Sequence, residues 1–328
     1  MIQVGLHLTK NNTKYIELEN RLISQLDNPK KLNFIHLSSE NDIKTHIHKL
    51  DILHCYEIKS DFFSHASPNL KWIQIGAAGI EKSLLDAVLK SKVIITNASG
   101  IHASPVSEYV ISSMLFFSKI FRDFEVFKNT KKWTQWDIAK KIVELKGQTI
   151  GIIGYGSIGK EIAKKAKAFG MNVIATRRLQ KKVESNKFVD QLIPTSDLKV
   201  LLKNSDYVVI SCPLTPLTTN LISLKELKLM RENAIIINIA RGQIINQDDL
   251  INALENKIIS GAALDVFAKE PLEESSKLFD LDNVIISPHI SGNYPNYQKD
   301  MVDQFAHNLN RFILGKALKN RVCKKRLY

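Results

Sequence analysis

Arg241, Glu270 and His289 each follow a short apolar run. Asn238-Ile239-Ala240-Arg241-Gly242 comes after Ala234–Ile237, Asp265 through Pro271 after Gly261–Leu264, and Ser287-Pro288-His289-Ile290-Ser291-Gly292 after Val284–Ile286. Taken singly they are bland, since a lone His after Pro, an Arg-Gly or a Glu-Pro is ordinary structural sequence. Together they supply the parts for reducing a ketone that carries a carboxylate. A histidine titrating near neutrality can deliver a proton to a developing alkoxide. A carboxylate beside it favours the charged ring and fixes its orientation. A planar guanidinium can grip a carboxylate and polarise a carbonyl oxygen. The carboxyl ends of the strands of an open parallel sheet share one crevice, so the three can converge although far apart in sequence.

Such a reduction needs a hydride donor, and the chain carries a dinucleotide fingerprint. Thr149-Ile150-Gly151-Ile152-Ile153 leads directly into Gly154-Tyr155-Gly156-Ser157-Ile158-Gly159; Ile158, Ile162, Ala163, Ala166 and Phe169 then share one helical face, and Gly170 ends the helix. Gly154 allows the tight turn, Gly156 the close approach of a pyrophosphate, and Gly159 the packing of helix on strand. Ser157 and Ile158 open the helix, whose N–H groups and dipole favour an anion. The motif alone is weak; the strand before it, the amphipathic helix after it and the strand Asn172–Thr176 beyond supply the context it requires.

The end of that second strand selects the cofactor. An NAD site places Asp or Glu there, about 20 residues after the glycines. This chain has Thr176-Arg177-Arg178 instead. Two guanidiniums and a hydroxyl suit a ribose 2′-phosphate, so NADP is expected. NAD use stays open if the arginines merely face solvent.

The elements that must position these residues read as strand–helix alternation, an α/β pattern of parallel sheets covered by helices. Candidate strands are Ile2–Leu6, Phe34–Leu37, Ile52–Cys55, Trp72–Ile75 and Val93–Thr96, with helical spacing at Tyr15–Leu26 and Lys82–Leu89. Ser104–Phe121 is a long apolar helix candidate with Pro105 in its first turn. A polar segment, Arg122–Lys146, follows and contains Trp133 and Trp136. A second alternation then has strands at Thr149–Gly154, Asn172–Thr176, Tyr207–Ser211, Ala234–Asn238, Gly261–Val266 and Val284–Ser287. Tyr297–Leu314 is a last helix candidate before a basic tail.

These pieces resemble, in kind and in order, the D-isomer-specific 2-hydroxyacid dehydrogenase family. The matching residues are Asn97-Ala98-Ser99-Gly100-Ile101-His102 with Glu108, the fingerprint Gly154–Gly159, Pro213-Leu214-Thr215-Pro216 with Thr218, Arg241-Gly242, Asp265 through Pro271, and Pro288-His289. The resemblance implies that His289 is the acid/base, Glu270 its partner and Arg241 the substrate clamp. It implies that Asp265 faces the nicotinamide, that Thr218 contacts the cofactor, and that Ala78-Gly79 holds the substrate carboxylate through backbone N–H groups, with a plain turn as the lesser alternative for Ala78-Gly79. It also implies two doubly wound parallel-sheet domains, with a Rossmann cofactor domain (98–289) inserted into a flavodoxin-like substrate domain (1–97 plus 290–328) and the helices at 104–121 and 297–314 bridging them. The Trp133/Trp136 segment resembles a dimerisation arm, so a homodimer is expected, although core packing suits the same tryptophans. Glyoxylate and hydroxypyruvate are the favoured substrates.

Composition sets the alternatives. The 328 residues are 44% apolar and 24% charged, the balance of a globular chain long enough for two domains. No stretch approaches a membrane span, and the opening Met1-Ile2-Gln3-Val4-Gly5-Leu6 reads as a strand, not a secretory signal. Cys55, Cys212 and Cys323 are few and far apart, which fits a reducing, cytoplasmic setting and offers neither a disulfide framework nor a metal site. The net charge of +13 raises nucleic acid or an anionic membrane as partner, but its lysines are scattered in pairs without interleaved aromatics. A dinucleotide-sensing corepressor would keep the same fingerprint and is the main non-enzyme alternative.

Overall fold

A computed structural model describes all 328 residues. They form two compact units, Met1–Ile101 with Tyr294–Tyr328, and His102–Asn293. No helix is long and apolar enough to cross a membrane.

In the first unit, β1 (Ile2–Leu6), β2 (Leu32–His36), β3 (Ile52–Cys55), β4 (Trp72–Ile75) and β5 (Ile94–Thr96) make an all-parallel sheet ordered β2-β1-β3-β4-β5. Every residue of β3 and β4 is buried, as expected of parallel strands covered on both faces. On one face Val4, Leu6 and Trp72 pack with Leu18 and Leu22 of the helix Asn12–Ser24 and with Met301, Phe305 and Leu309 of the helix Tyr297–Ile313. Leu53, Ile73, Ile43, Phe62 and Val88 fill the other. Thr96 pairs with Arg321, so the chain's tail covers the edge at β5.

The second unit holds β6 (Thr149–Ile153), β7 (Asn172–Arg177), β8 (Glu184–Asn186), β9 (Val189–Pro194), β10 (Tyr207–Ile210), β11 (Ile235–Asn238), β12 (Gly261–Leu264) and β13 (Val284–Ile286). Their order is β13-β12-β11-β10-β6-β7-β9-β8, parallel throughout except for β8. The chain order reverses between β6 and β10, the position where doubly wound sheets open their ligand crevice. Val110 and Met114 of the helix Ala103–Ser118 pack with Ile162 and Ala166 of the helix Ser157–Ala168 against Ile150, Ile152 and Val209. Leu201, Leu250 and Leu254 cover the opposite face over Val208, Ile236 and Ala262.

Three elements depart from expectation. The hairpin of β8 and β9 lies outside the candidate strands, because Asp190 and Gln191 interrupt the apolar run and β8 is wholly exposed. The stretch at 82–89 is a 3-10 turn, Glu81–Ser83, and then a short helix, Asp86–Lys90. The long helix stops at Ser118, and Ile120 turns left-handed at φ 50° before a separate helix, Phe121–Thr130, which buries no side chain. Trp133 and Trp136 are 81% and 71% exposed, so core packing is not their role.

Candidate active site

The site in the second unit is built from loops at the carboxyl ends of β6, β7, β11, β12 and β13. After β11, buried Asn238 shapes the turn that carries Arg241: its Nδ2 donates to Arg241 O at 3.0 Å and its Oδ1 accepts from Ala240 N at 3.1 Å. Arg241 Nη1 donates to Ala240 O at 2.6 Å, which holds the half-buried guanidinium close to its own backbone. A side chain on Gly242 would collide with the backbone of Phe267 and Ala268. Glycine there lets the Arg241 turn lie against the loop after β12.

That loop presents Glu270. Its Oε1 accepts from Phe267 N at 3.0 Å and its Oε2 lies 2.9 Å from His289 Nδ1. Burial pushes the carboxyl upward in pKa. The His289 bond, the Phe267 N–H and the charges of His289 and Arg241 outweigh this and hold it below the usual carboxylate range. An ionised carboxylate only accepts, so His289 Nδ1–H donates to Glu270 and Nε2 is the ring atom left for chemistry. The two side chains are 48% and 37% exposed, open enough to meet a reactant.

His289 has a left-handed backbone, φ 55°, and its N–H donates to Asp265 O at 2.9 Å. The Asp265 carboxylate, fully buried, accepts from Ser287 Oγ at 2.6 Å, Ile290 N at 2.8 Å and Ser291 N at 3.0 Å. This gives Asp265 a task the sequence did not suggest, holding the loop that carries the histidine. Ser287 and Tyr109, of which the sequence left Tyr109 unmarked, extend the same network: Ser287 donates to Asp265, so Tyr109 Oη donates to Ser287 Oγ at 2.8 Å.

At the fingerprint, Gly154 turns at φ +106° and its N–H donates to Thr176 Oγ1 at 3.2 Å. A β-carbon on Gly154 would come within 2.7 Å of Cys212 N, so the turn is seated against the end of β10. Gly159 packs on Gly154 O. Gly156 differs from both. It caps the helix Ser157–Ala168 with extended φ and ψ, and a β-carbon there would meet nothing within 4 Å. Neither backbone conformation nor internal packing requires that glycine, whereas a phosphate drawn against the backbone would. Ser157 and Ile158 form the first turn behind it.

Thr176 has a second partner within the protein. It is 1% exposed at the end of β7 with its hydroxyl turned to Gly154, so it braces the glycine turn. Arg177 and Arg178 remain exposed there, and no acid follows them closely. Thr218 Oγ1 donates to Pro213 O at 2.8 Å and accepts from Thr215 N at 2.7 Å, which fixes the Pro213–Thr219 turn. In the first unit, Ala78 and Gly79 lie in the turn after β4. There the carbonyls of Gly76, Ala77 and Ala78 accept from Tyr297 Oη, Ala98 N and Asn97 Nδ2.

Residues 111–291 match the family model described as D-isomer specific 2-hydroxyacid dehydrogenase, NAD binding domain. A glyoxylate reductase of Thermococcus litoralis is 33% identical over 263 residues, 79% of this chain and 78% of the relative. A glycerate dehydrogenase of Methylorubrum extorquens is 33% identical over 258 residues, 76% and 78% of the two chains. The crystal structure of a D-isomer specific 2-hydroxyacid dehydrogenase family protein from Aeromonas salmonicida superposes with a TM-score of 0.82 at 29% identity, covering 98% of this chain and 99% of that one.

Proposed function

The chain belongs to the D-isomer-specific 2-hydroxyacid dehydrogenase family, a family of NAD(P)-dependent oxidoreductases of small 2-hydroxyacids and 2-oxoacids, and from that premise we propose that it reduces a small 2-oxoacid with NADPH. The observation that carries the reading is the hydrogen-bonded pair His289–Glu270 with Arg241 electrostatically coupled to it. Gly154, Gly156, Ser157, Ile158 and Gly159 would hold the pyrophosphate, and Arg177 with Arg178 the 2′-phosphate. Bound there, the dinucleotide supplies the hydride. Arg241 orients the substrate carboxylate and polarises its ketone oxygen, Glu270 keeps the imidazole in register, and His289 Nε2–H gives its proton to the oxygen as negative charge builds on it. Within the first unit, Ala78 and Gly79 are the residues we assign to carboxylate binding through backbone N–H groups. On this reading residues 1–97 with 290–328 serve the substrate and 98–289 the cofactor.

Glyoxylate and hydroxypyruvate are our preferred substrates. They are the small 2-oxoacids that correspond to the names of the glyoxylate reductase and glycerate dehydrogenase relatives. We assign the exposed helix Phe121–Thr130 and the Trp133/Trp136 segment to a homodimer contact, since so much apolar surface on a monomer calls for a partner. The reading is tested by assaying a panel of 2-oxoacids with NADPH and with NADH. Tight NADPH binding without turnover of any of them would replace it with a sensor role.

Two variants separate cofactor from substrate. Gly156→Ala leaves thermal stability within about 0.5 kcal/mol of the parent, because its β-carbon meets open space. The same methyl should weaken cofactor binding by about tenfold or more, roughly 1.4 kcal/mol, as read by NADPH fluorescence titration. Arg241→Ala should leave that titration unchanged and lower kcat/KM for carboxylate-bearing ketones by about 10²-fold, the scale of one lost charge-assisted contact. Equal losses for a neutral ketone would remove the guanidinium from carboxylate recognition.

A further inference from the structure

The loop Ser287–Gly292 is gripped at both ends by one helix. Tyr109 Oη donates to Ser287 Oγ at 2.8 Å, and His102 Nδ1–H donates to Gly292 O at 3.0 Å. The two side chains are seven positions apart, two turns along the start of the helix Ala103–Ser118, so both project from one face toward the loop. His289 lies between the gripped ends. From below, Asp265 takes Ser287 Oγ, Ile290 N and Ser291 N on its carboxylate and His289 N on its carbonyl. A left-handed residue is not the default of any L-amino acid, so its neighbours must impose it.

We propose that Tyr109 and His102 are positioning residues for His289: the helix serves as a back-plate that sets the loop's two ends, and Ser287 passes the Tyr109 contact to Asp265. This rests on the reading of His289 as proton donor. The chemistry on the page supports the direction of each bond. Burial raises the Tyr109 hydroxyl in pKa, so it keeps its proton and stays a donor. Burial lowers His102, with the Gly292 carbonyl opposing, so the ring is neutral at pH 7 and holds its proton on Nδ1. A β-carbon on Gly292 would come within 3.0 Å of His102 Nδ1, which shows how closely the ring is seated. In the sequence His102 stood only at the end of the Asn97–His102 motif and Tyr109 stood unmarked, so neither contact could be read from it.

The test uses Tyr109→Phe and Ser287→Ala in the full chain, with Ser287→Thr as the conservative control. Hydrogen exchange is read first at the amides of Ile290 and Ser291. Both variants should speed exchange there by about tenfold, while Ser287→Thr restores protection. Steady-state kinetics follow, with kcat expected to fall by about tenfold in both variants, because misplacement by a fraction of an ångström weakens proton delivery. KM for the 2-oxoacid and Kd for NADPH should stay within about twofold, and Ser287→Thr should recover most of kcat. Unchanged exchange overturns the proposal whether or not the chain turns over any 2-oxoacid. Faster exchange with unaltered kcat overturns the positioning role while leaving the enzyme reading intact. A parent chain inactive on every 2-oxoacid, yet with the expected exchange pattern, retires the enzyme reading and keeps the back-plate.

Discussion

Replacing His289 with alanine should lower kcat for 2-oxoacid reduction by about 10²- to 10⁴-fold, the span seen when a positioned acid/base is removed. Binding should survive. The imidazole is half exposed and makes its side-chain bond only to Glu270, so its loss opens no cavity in either core. NADPH titration and thermal melting should therefore match the parent closely, and the deficit should sit in kcat. Glu270 contributes through the ring: its carboxylate accepts from Nδ1–H and from Phe267 N, an arrangement that holds one tautomer and one orientation. A stopped-flow trace with the normal hydride-transfer rate in the His289→Ala chain would place the proton donor elsewhere.

Removing both arginines at the end of β7 should separate the two cofactors just as sharply. With Arg177→Ala and Arg178→Ala combined, Kd for NADPH should rise by about 10²-fold, since each charge-assisted bond to phosphate contributes about 1.5–3 kcal/mol before solvent screening reduces it. NADH, which has a hydroxyl where NADPH has the 2′-phosphate, should lose less than about threefold. The gap should narrow as salt is raised, because exposed charges are screened over about 10 Å at 0.1 M. If the two cofactors weaken in parallel, the arginines are ordinary solvent-facing charges and the NADP assignment fails. Thr176 is left out of the variant, because its hydroxyl braces Gly154 and its loss would disturb both cofactors alike.

What the sequence made legible was the part governed by periodicity. Apolar runs such as Ile150–Ile153 and Ile235–Ile237, short and set between turns, read as buried strands, and the glycines after β6 marked the turn into the helix Ser157–Ala168. The encounter of Glu270 with His289 followed from both lying at strand ends on one edge of one sheet. Side chains that satisfy buried partners stayed hidden. Asp265 and Thr176 look like ligand-facing residues in a motif, yet burial commits their oxygens to the loop at 287–291 and to Gly154. Tyr109 carries no mark at all, because a tyrosine on a core helix reads as packing until its hydroxyl is seen against Ser287. The β8–β9 hairpin was lost for a similar reason, since its three-residue edge strand has no buried side to create alternation.

The positive φ at His289 bears on what a search for heat-tolerant variants would find. Glycine or asparagine occupies that backbone region at lower cost, and a residue with a β-carbon gives up roughly 1 kcal/mol there. A screen that rewards only survival at high temperature should therefore drift toward small or amide side chains at this position and return robust, inert proteins. Requiring turnover of a 2-oxoacid as well would pull the imidazole back. The loop thus carries a built-in conflict between ruggedness and chemistry, and the ring persists where the main chain alone would choose something else.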